Sequence, residues 1–282
     1  MSSQPFTLTG SNGQAILGNT HLPEGTPRGV FILCHGFKGY KDYGFVPWLA
    51  QQMTRHGFIA HRFNFSHSGV TNNYETFERP DLFEQDTWGK QIFDLQVVAQ
   101  AVRDGEIPGG DLPMIWFGHS RGGITVTLTA ARTFAERRDL APAGVIAAAA
   151  PDRANMFDEA TCRRLREQGW IESASTRTRQ MLRVGRAWLD EIEADPHAFD
   201  PLRAAAAIPC PMLIVHGDQD ATVPVEAAYR YAAAAGTRAA LKIIERGNHV
   251  FNGRNPLPQD TEPPRQMQEL ARACATFALA CV

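Results

Sequence analysis

From residue 30 onward the chain alternates two textures. Short runs of β-branched and aliphatic residues, bounded by Gly or Pro, occupy 30–34, 58–65, 114–118, 145–149, 212–215 and 240–244. They are apolar almost throughout rather than at every second position, which suits buried parallel strands covered by helices on both faces. Segments of helical period lie between them at 46–56, 86–103, 122–137 and 225–235, with a last one near 265–280. In the second of these Trp88, Ile92, Leu95, Val98 and Val102 recur at three- and four-residue steps, a stripe that faces a sheet. Such alternation predicts a doubly wound, mostly parallel α/β sheet. Residues 6–9 and 15–17 add an antiparallel hairpin at its edge.

One stretch breaks the rhythm. About 60 residues separate the run ending near Ala149 from the next at Met212, far more than an ordinary connection. The stretch is helical in texture and rich in Arg, with Trp170, Met181, Trp188 and Leu189 as its large apolar groups. We expect residues 152–206 to form a helical cap over the carboxyl edge of a core built from 1–151 and 207–282.

The candidate chemistry sits at the ends of the apolar runs. Met114-Ile115-Trp116-Phe117 leads straight into Gly118-His119-Ser120-Arg121-Gly122, and a helical stretch follows at once. A G-x-S-x-G between strand and helix forms a strained turn that lifts the Ser hydroxyl above the sheet. The helix N-terminus behind it favours developing negative charge. A Ser hydroxyl needs a base to take its proton, and the histidine downstream of a plausible acid is His249, in Gly247-Asn248-His249. His119, at the x position of the turn, is expected to pack rather than react. His216 falls in a buried strand ending, and His21, His56 and His197 carry no other catalytic signal. For the acid the residues themselves leave Asp218, Asp220 and Asp152 open. His35-Gly36-Phe37-Lys38-Gly39 follows the first long apolar run, where the backbone N–H of Phe37, with that of Arg121, would face a tetrahedral oxyanion. We expect no role for the Arg121 side chain beyond a surface ion pair, and Lys38 to be a solvated loop lysine. The Gly/Ser/Asn turn 64–69 is expected to support the oxyanion loop.

Composition narrows the rest. The chain has 282 residues, 44% hydrophobic and 21% charged, with a net charge of −2, so it can bury a substantial core and is not disordered. The near-neutral balance gives no footprint for nucleic acid or an anionic membrane. No apolar run approaches the roughly 18 residues of a span, and Met1-Ser2-Ser3-Gln4-Pro5 lacks a signal pattern, so a cytoplasmic protein is expected. The five cysteines are far apart without C-x-x-C spacing, which argues against a disulfide framework or a structural zinc.

Together these residues resemble the α/β-hydrolase-fold serine hydrolases over nearly the whole chain. The likeness rests on His35-Gly36-Phe37, the Gly118–Gly122 turn, Gly217-x-x-Asp220-x-x-Val223-Pro224, and Gly247-Asn248-His249. Within that fold, His35-Gly36-Phe37 and residues 64–69 are similar to bacterial feruloyl/cinnamoyl esterases and to lysophospholipase-like and serine-aminopeptidase-like hydrolases. The resemblance implies a triad of Ser120, Asp220 and His249, with Asp220 at the family's acid position. It implies hydrolysis of a small-molecule carboxylic ester through an acyl-enzyme, without metal or organic cofactor, by a monomer or homodimer. Trp170, Met181 and Trp188 are candidates for an apolar pocket. An amidase or peptidase, for which Glu172 could recognise an amine, would use the same triad, as would a thioesterase or perhydrolase. A dehalogenase would need a carboxylate at Ser120. A non-catalytic ligand-binding role is the alternative of another class.

Overall fold

The computed structural model describes residues 3–258 and 261–282. In chain order its strands are β1 (Gln4–Thr9), β2 (Ala15–His21), β3 (Gly29–Cys34), β4 (Phe58–Asn64), β5 (Met114–His119), β6 (Gly144–Ala148), β7 (Trp170–Ala174), β8 (Met181–Gly185), β9 (Met212–Gly217) and β10 (Ala239–Ile244). The helices are α1 (Val46–Arg55), α2 (Pro80–Glu84), α3 (Trp88–Arg103), α4 (Arg121–Glu136), α5 (Glu159–Gln168), α6 (Ala187–Ala194), α7 (Pro201–Ala207), α8 (Glu226–Ala235) and α9 (Arg265–Ala280). An eight-stranded sheet runs β1-β2-β4-β3-β5-β6-β9-β10. β1 and β2 form the expected antiparallel edge hairpin, and β2 joins β4 antiparallel while the remaining pairs are parallel.

The continuous apolar runs are explained by two cores, one on each face. Val30, Ile32, Met114, Trp116, Val145 and Ile214 point to one side, against Leu95, Val98 and Val102 of α3, Val126 of α4 and Tyr231 of α8. Their neighbours Phe31, Leu33, Ile115, Phe117, Ile146 and Val215 point to the other, against Leu49 and Met53 of α1 and Leu270 and Cys274 of α9. Side chains alternate faces along a strand, so a run buried on both sides must be apolar at every position. Burial of this kind contributes roughly 25 cal/mol per Å² of apolar surface and is what holds the sheet as a rigid platform.

Register decides what the platform carries. Cys34 lies beside Gly118, His119 beside Ala148, Ala148 beside Val215, and Gly217 beside Ile244. The carboxyl ends of five parallel strands therefore line up, and the loops after them share one edge, where open α/β sheets place their sites.

The long insertion over that edge is not wholly helical. Its middle is an antiparallel hairpin, β7–β8, between α5 and α6. The alternation that encodes it is short: Ile171, Leu182 and Val184 are buried while Glu172, Met181 and Arg183 are exposed. With so short an alternation, and Arg177 and Arg179 in the turn between the strands, the period of two is hard to see in the sequence. Asp158 caps α5 by accepting from Thr161 N at 2.8 Å, and Gly169, at φ 82°, ends it. The last helix of the stretch, α7, packs on α4 and α8 rather than over the edge. The insertion is fastened at several points. Lys38 Nζ donates to the Ala174 carbonyl at 2.5 Å, and the Gln180 amide pairs with both backbone groups of Phe77 at 2.8 and 3.1 Å. Glu191 of α6 accepts from Thr87 Oγ1 at 2.7 Å and Gly89 N at 2.9 Å. Thr87 is also the N-cap of α3, which is why that helix starts at Trp88 rather than at 86. Among the described residues no helix is long and apolar enough to cross a membrane.

Candidate active site

The turn after β5 is built around backbone contacts that exclude side chains. A Cβ on Gly118 would lie 2.0 Å from the Gly122 carbonyl oxygen, and one on Gly122 would lie 2.5 Å from that of Cys34. Between them Ser120 is held at φ 54°, ψ −121°, a conformation that costs an L residue about 1–3 kcal/mol. Its N–H donates to the Ala148 carbonyl at 2.8 Å, and α4 begins at the next residue.

Ser120 Oγ lies 3.0 Å from His249 Nε2, and His249 Nδ1 lies 2.7 Å from Asp220 Oδ2. The Asp220 side chain is fully buried, and its Oδ1 accepts from the N–H groups of Thr222 (2.8 Å) and Val223 (2.9 Å). His216 Nε2 stands 3.3 Å from Oδ2. Burial alone would raise the Asp220 pKa, but hydrogen bonds from His216, His249 and Val223 N hold it well below the usual carboxylate range. The other two acids considered are elsewhere: Asp218 is exposed, and Asp152 pairs with Arg230.

His119 and His35 hold backbone in place. His119 Nε2 is 2.7 Å from the His249 carbonyl, so it must carry a proton and donate. Burial pushes its pKa down to about 3, which keeps the ring neutral. His35, likewise lowered by burial to about 4, donates from Nδ1 to the Gly36 carbonyl (2.9 Å) and accepts from Phe65 N (3.3 Å) at Nε2. It thus ties the 36–39 loop to the end of β4. Asn64 adds a second tie, accepting from Lys41 N at 2.7 Å. A Cβ on Gly36 would be 3.0 Å from Ser120 Cβ, so this loop runs directly beside the serine. The N–H groups of Phe37 and Arg121 have no acceptor among the described residues.

Two cavities meet at Ser120 and Phe37. The larger, about 340 Å³, is walled by Trp88, Ile124, Phe157, Val184 and Trp188, with Arg121 among them. The smaller, about 240 Å³, is more polar and is lined by Lys38, Tyr43, Arg177 and His249. Of the three apolar candidates in the insertion, Trp188 lines the larger of these two cavities. Trp170 is covered by the Arg183 guanidinium at 4.0 Å, Met181 is 58% exposed on the hairpin, and neither lines either space. Glu172 is exposed on β7. Trp88 and Ile124 belong to helices of the core, where their helical spacing marks them only as packing residues.

Two expectations for side chains are corrected. Arg121 does not form a surface ion pair: it is buried, 3.3 Å from the equally buried Asp86. Lys38 is not freely solvated: it reaches into the insertion, and burial lowers its pKa.

Residues 31–265 match the model of the alpha/beta hydrolase family. No curated protein matches the sequence. Among solved structures, Est1E from Butyrivibrio proteoclasticus with ferulic acid bound superposes with a TM-score of 0.72 at 18% identity, covering 98% of each chain. The esterase domain of a Rhodothermus marinus protein gives 0.65 at 17% identity over 99% of this chain and 98% of that one. Alpha/beta hydrolase domain-containing protein 10 from mouse gives 0.70 at 15% over 99% and 100%. At these identities the likeness is one of fold.

Proposed function

This chain belongs to the alpha/beta hydrolase family, and on that footing we propose that it hydrolyses a carboxylic ester through an acyl-enzyme formed on Ser120. The observation that carries the reading is the continuous hydrogen-bonded line from Asp220 through His249 to a serine held in a strained conformation.

In this reading Ser120 Oγ attacks the ester carbonyl while His249 Nε2 takes the hydroxyl proton. Asp220, bonded to Nδ1, fixes the tautomer that leaves Nε2 free to accept and stabilises the imidazolium that forms. The N–H groups of Phe37 and Arg121 receive the negative charge of the tetrahedral intermediate. Collapse breaks the ester C–O bond, and the alcohol leaves with the proton from His249. A water, deprotonated by the same nitrogen, then releases the acid and restores Ser120. Because His249 lines the smaller cavity and not the larger, the leaving alcohol belongs in the former and the acyl chain in the apolar larger one.

The test is hydrolysis of p-nitrophenyl esters from acetate to long acyl chains, with Ser120→Ala in parallel. Turnover that vanishes in the variant supports the proposal, and the chain-length profile measures the larger cavity. Equal rates from the two proteins, or none from a folded wild type, would refute it.

A further inference from the structure

The wall of the larger cavity contains a cation that apolar packing does not explain. Arg121 is only 9% exposed. Its guanidinium carbon lies 4.6 Å from the ring centre of Trp88, 5.6 Å from that of Phe37 and 5.9 Å from that of Trp188, and all three rings line the cavity with it. Among the described residues the guanidinium makes no hydrogen bond. Nε and Nη2 are shielded from solvent and unpartnered. Asp86 supplies compensating charge at 3.3 Å but not with hydrogen-bond geometry, and its Oδ1 is itself unpartnered. Its Oδ2 is engaged by Gln91 Nε2 at 2.6 Å. The other acid nearby, Glu191, is occupied by Thr87 and Gly89.

An ion pair kept for stability would use the planar fork of the guanidinium on its carboxylate. Here the charge is compensated and the donors are left over among three aromatic rings, where an unmade hydrogen bond is costly. Nε and Nη2 lie behind the cavity surface, which leaves Nη1, also without a hydrogen bond among the described residues, as the donor that an entering group can reach. The space Arg121 lines is the one that takes the acyl chain, by the reading of the preceding section on which this inference rests.

We propose that the acyl chain of the substrate carries an oxygen acceptor away from the scissile carbonyl, and that Arg121 binds it as the specificity-determining residue. The shared chemistry is an acceptor oxygen, which a carboxylate or a keto group would present. The site can accommodate a carboxylate. It would approach Asp86, whose carboxyl burial, against the pull of Arg121, has pushed up to about 6, so a proton taken there relieves the repulsion. The surrounding rings hold the chain flat and reject hydrated groups without a partner for Arg121.

Three aryl esters of equal chain length test this: pentanoate, with no acceptor, levulinate, with a neutral keto oxygen, and the glutarate hemiester, with a carboxylate. Rates are corrected for the Ser120→Ala background. The expected result is a kcat/KM at least about tenfold higher for one or both acceptor-bearing esters than for pentanoate. In Arg121→Met that ratio collapses toward one, whatever happens to the absolute rates, and Arg121→Lys falls between. Thermal melts verify that the variants fold. Pentanoate equal to or better than both others in the wild type would overturn the proposal. If no ester is turned over, the esterase reading fails separately, and calorimetric binding of free levulinate, glutarate and pentanoate decides this one. Preferential binding of an acceptor-bearing acid that is lost in Arg121→Met supports it; binding without preference, or no binding, refutes it.

Discussion

Replacing Asp220 with Asn removes one charge and leaves nearly every atom in place. The N–H groups of Thr222 and Val223 both donate to Oδ1, so in the variant the amide oxygen must stay there. The amide NH2 then takes the place of Oδ2, 2.7 Å from His249 Nδ1, where it can only donate. His249 is forced to carry its proton on Nε2, which faces Ser120 Oγ at 3.0 Å and can no longer accept from it. The charge lost also matters. An imidazolium and a carboxylate at 2.7 Å attract by about 6 kcal/mol at an effective dielectric of 20. A ten-thousandfold loss corresponds to about 5.4 kcal/mol, so we expect kcat to fall by roughly four orders of magnitude with the fold retained. The assay is steady-state hydrolysis of the best p-nitrophenyl ester, set against the Ser120→Ala background and a thermal melt of the variant. A folded Asp220→Asn protein within about tenfold of wild type would show that the acid neither sets the tautomer nor stabilises the imidazolium, and would refute the assignment.

Two further outcomes follow from the supporting residues. In Gly36→Ala the new methyl meets Ser120 Cβ at 3.0 Å and the His119 carbonyl at 3.1 Å, so the loop must back away and carry the Phe37 N–H with it. We expect kcat to drop about a hundredfold with KM and melting temperature little changed, and a drop under threefold would place the oxyanion elsewhere. The second concerns acid. Burial lowers His21, His35, His61 and His67 to about 4 and His119 to about 3, all from 6.5. The unfolded chain therefore binds protons that the folded one refuses, and the stability these rings permit is complete above 6.5 and is lost as pH falls toward 4. Melting temperature should decline steeply over that window with net proton uptake on unfolding, and a flat profile would contradict the burial of these rings.

The sheet was readable because its residues leave little choice: a strand covered on both faces must be apolar throughout, and such runs are plain in the chain. The turn after β5 is legible for a related reason, since Gly118 and Gly122 stand where backbone meets backbone. The hairpin in the insertion was hidden because its buried set is only Ile171, Leu182 and Val184, too few to outweigh the Arg-rich positions between them. The cavity wall was hidden more deeply. Trp88 and Ile124 sit at ordinary core spacing on α3 and α4, and nothing local to the sequence says that a cavity borders them. Nothing local to the sequence marks the Arg121 side chain as buried, because its burial arises from Trp88, Phe37 and Trp188, three residues brought together only by the fold.

The fastenings of the insertion bear on how a molecule would get in and out. Its hairpin is joined to the 36–39 loop through Lys38 and Ala174 and to Phe77 through Gln180, and α6 is joined to the start of α3 through Glu191. Each of these fastenings has to break before the roof lifts, so an opening there gives up several hydrogen bonds at once. Displacing the hairpin either breaks the bond from Lys38 or carries with it the loop that runs beside Ser120. The enclosure and the strand-to-helix turn at Ser120 are in this sense mechanically coupled through the 36–39 loop.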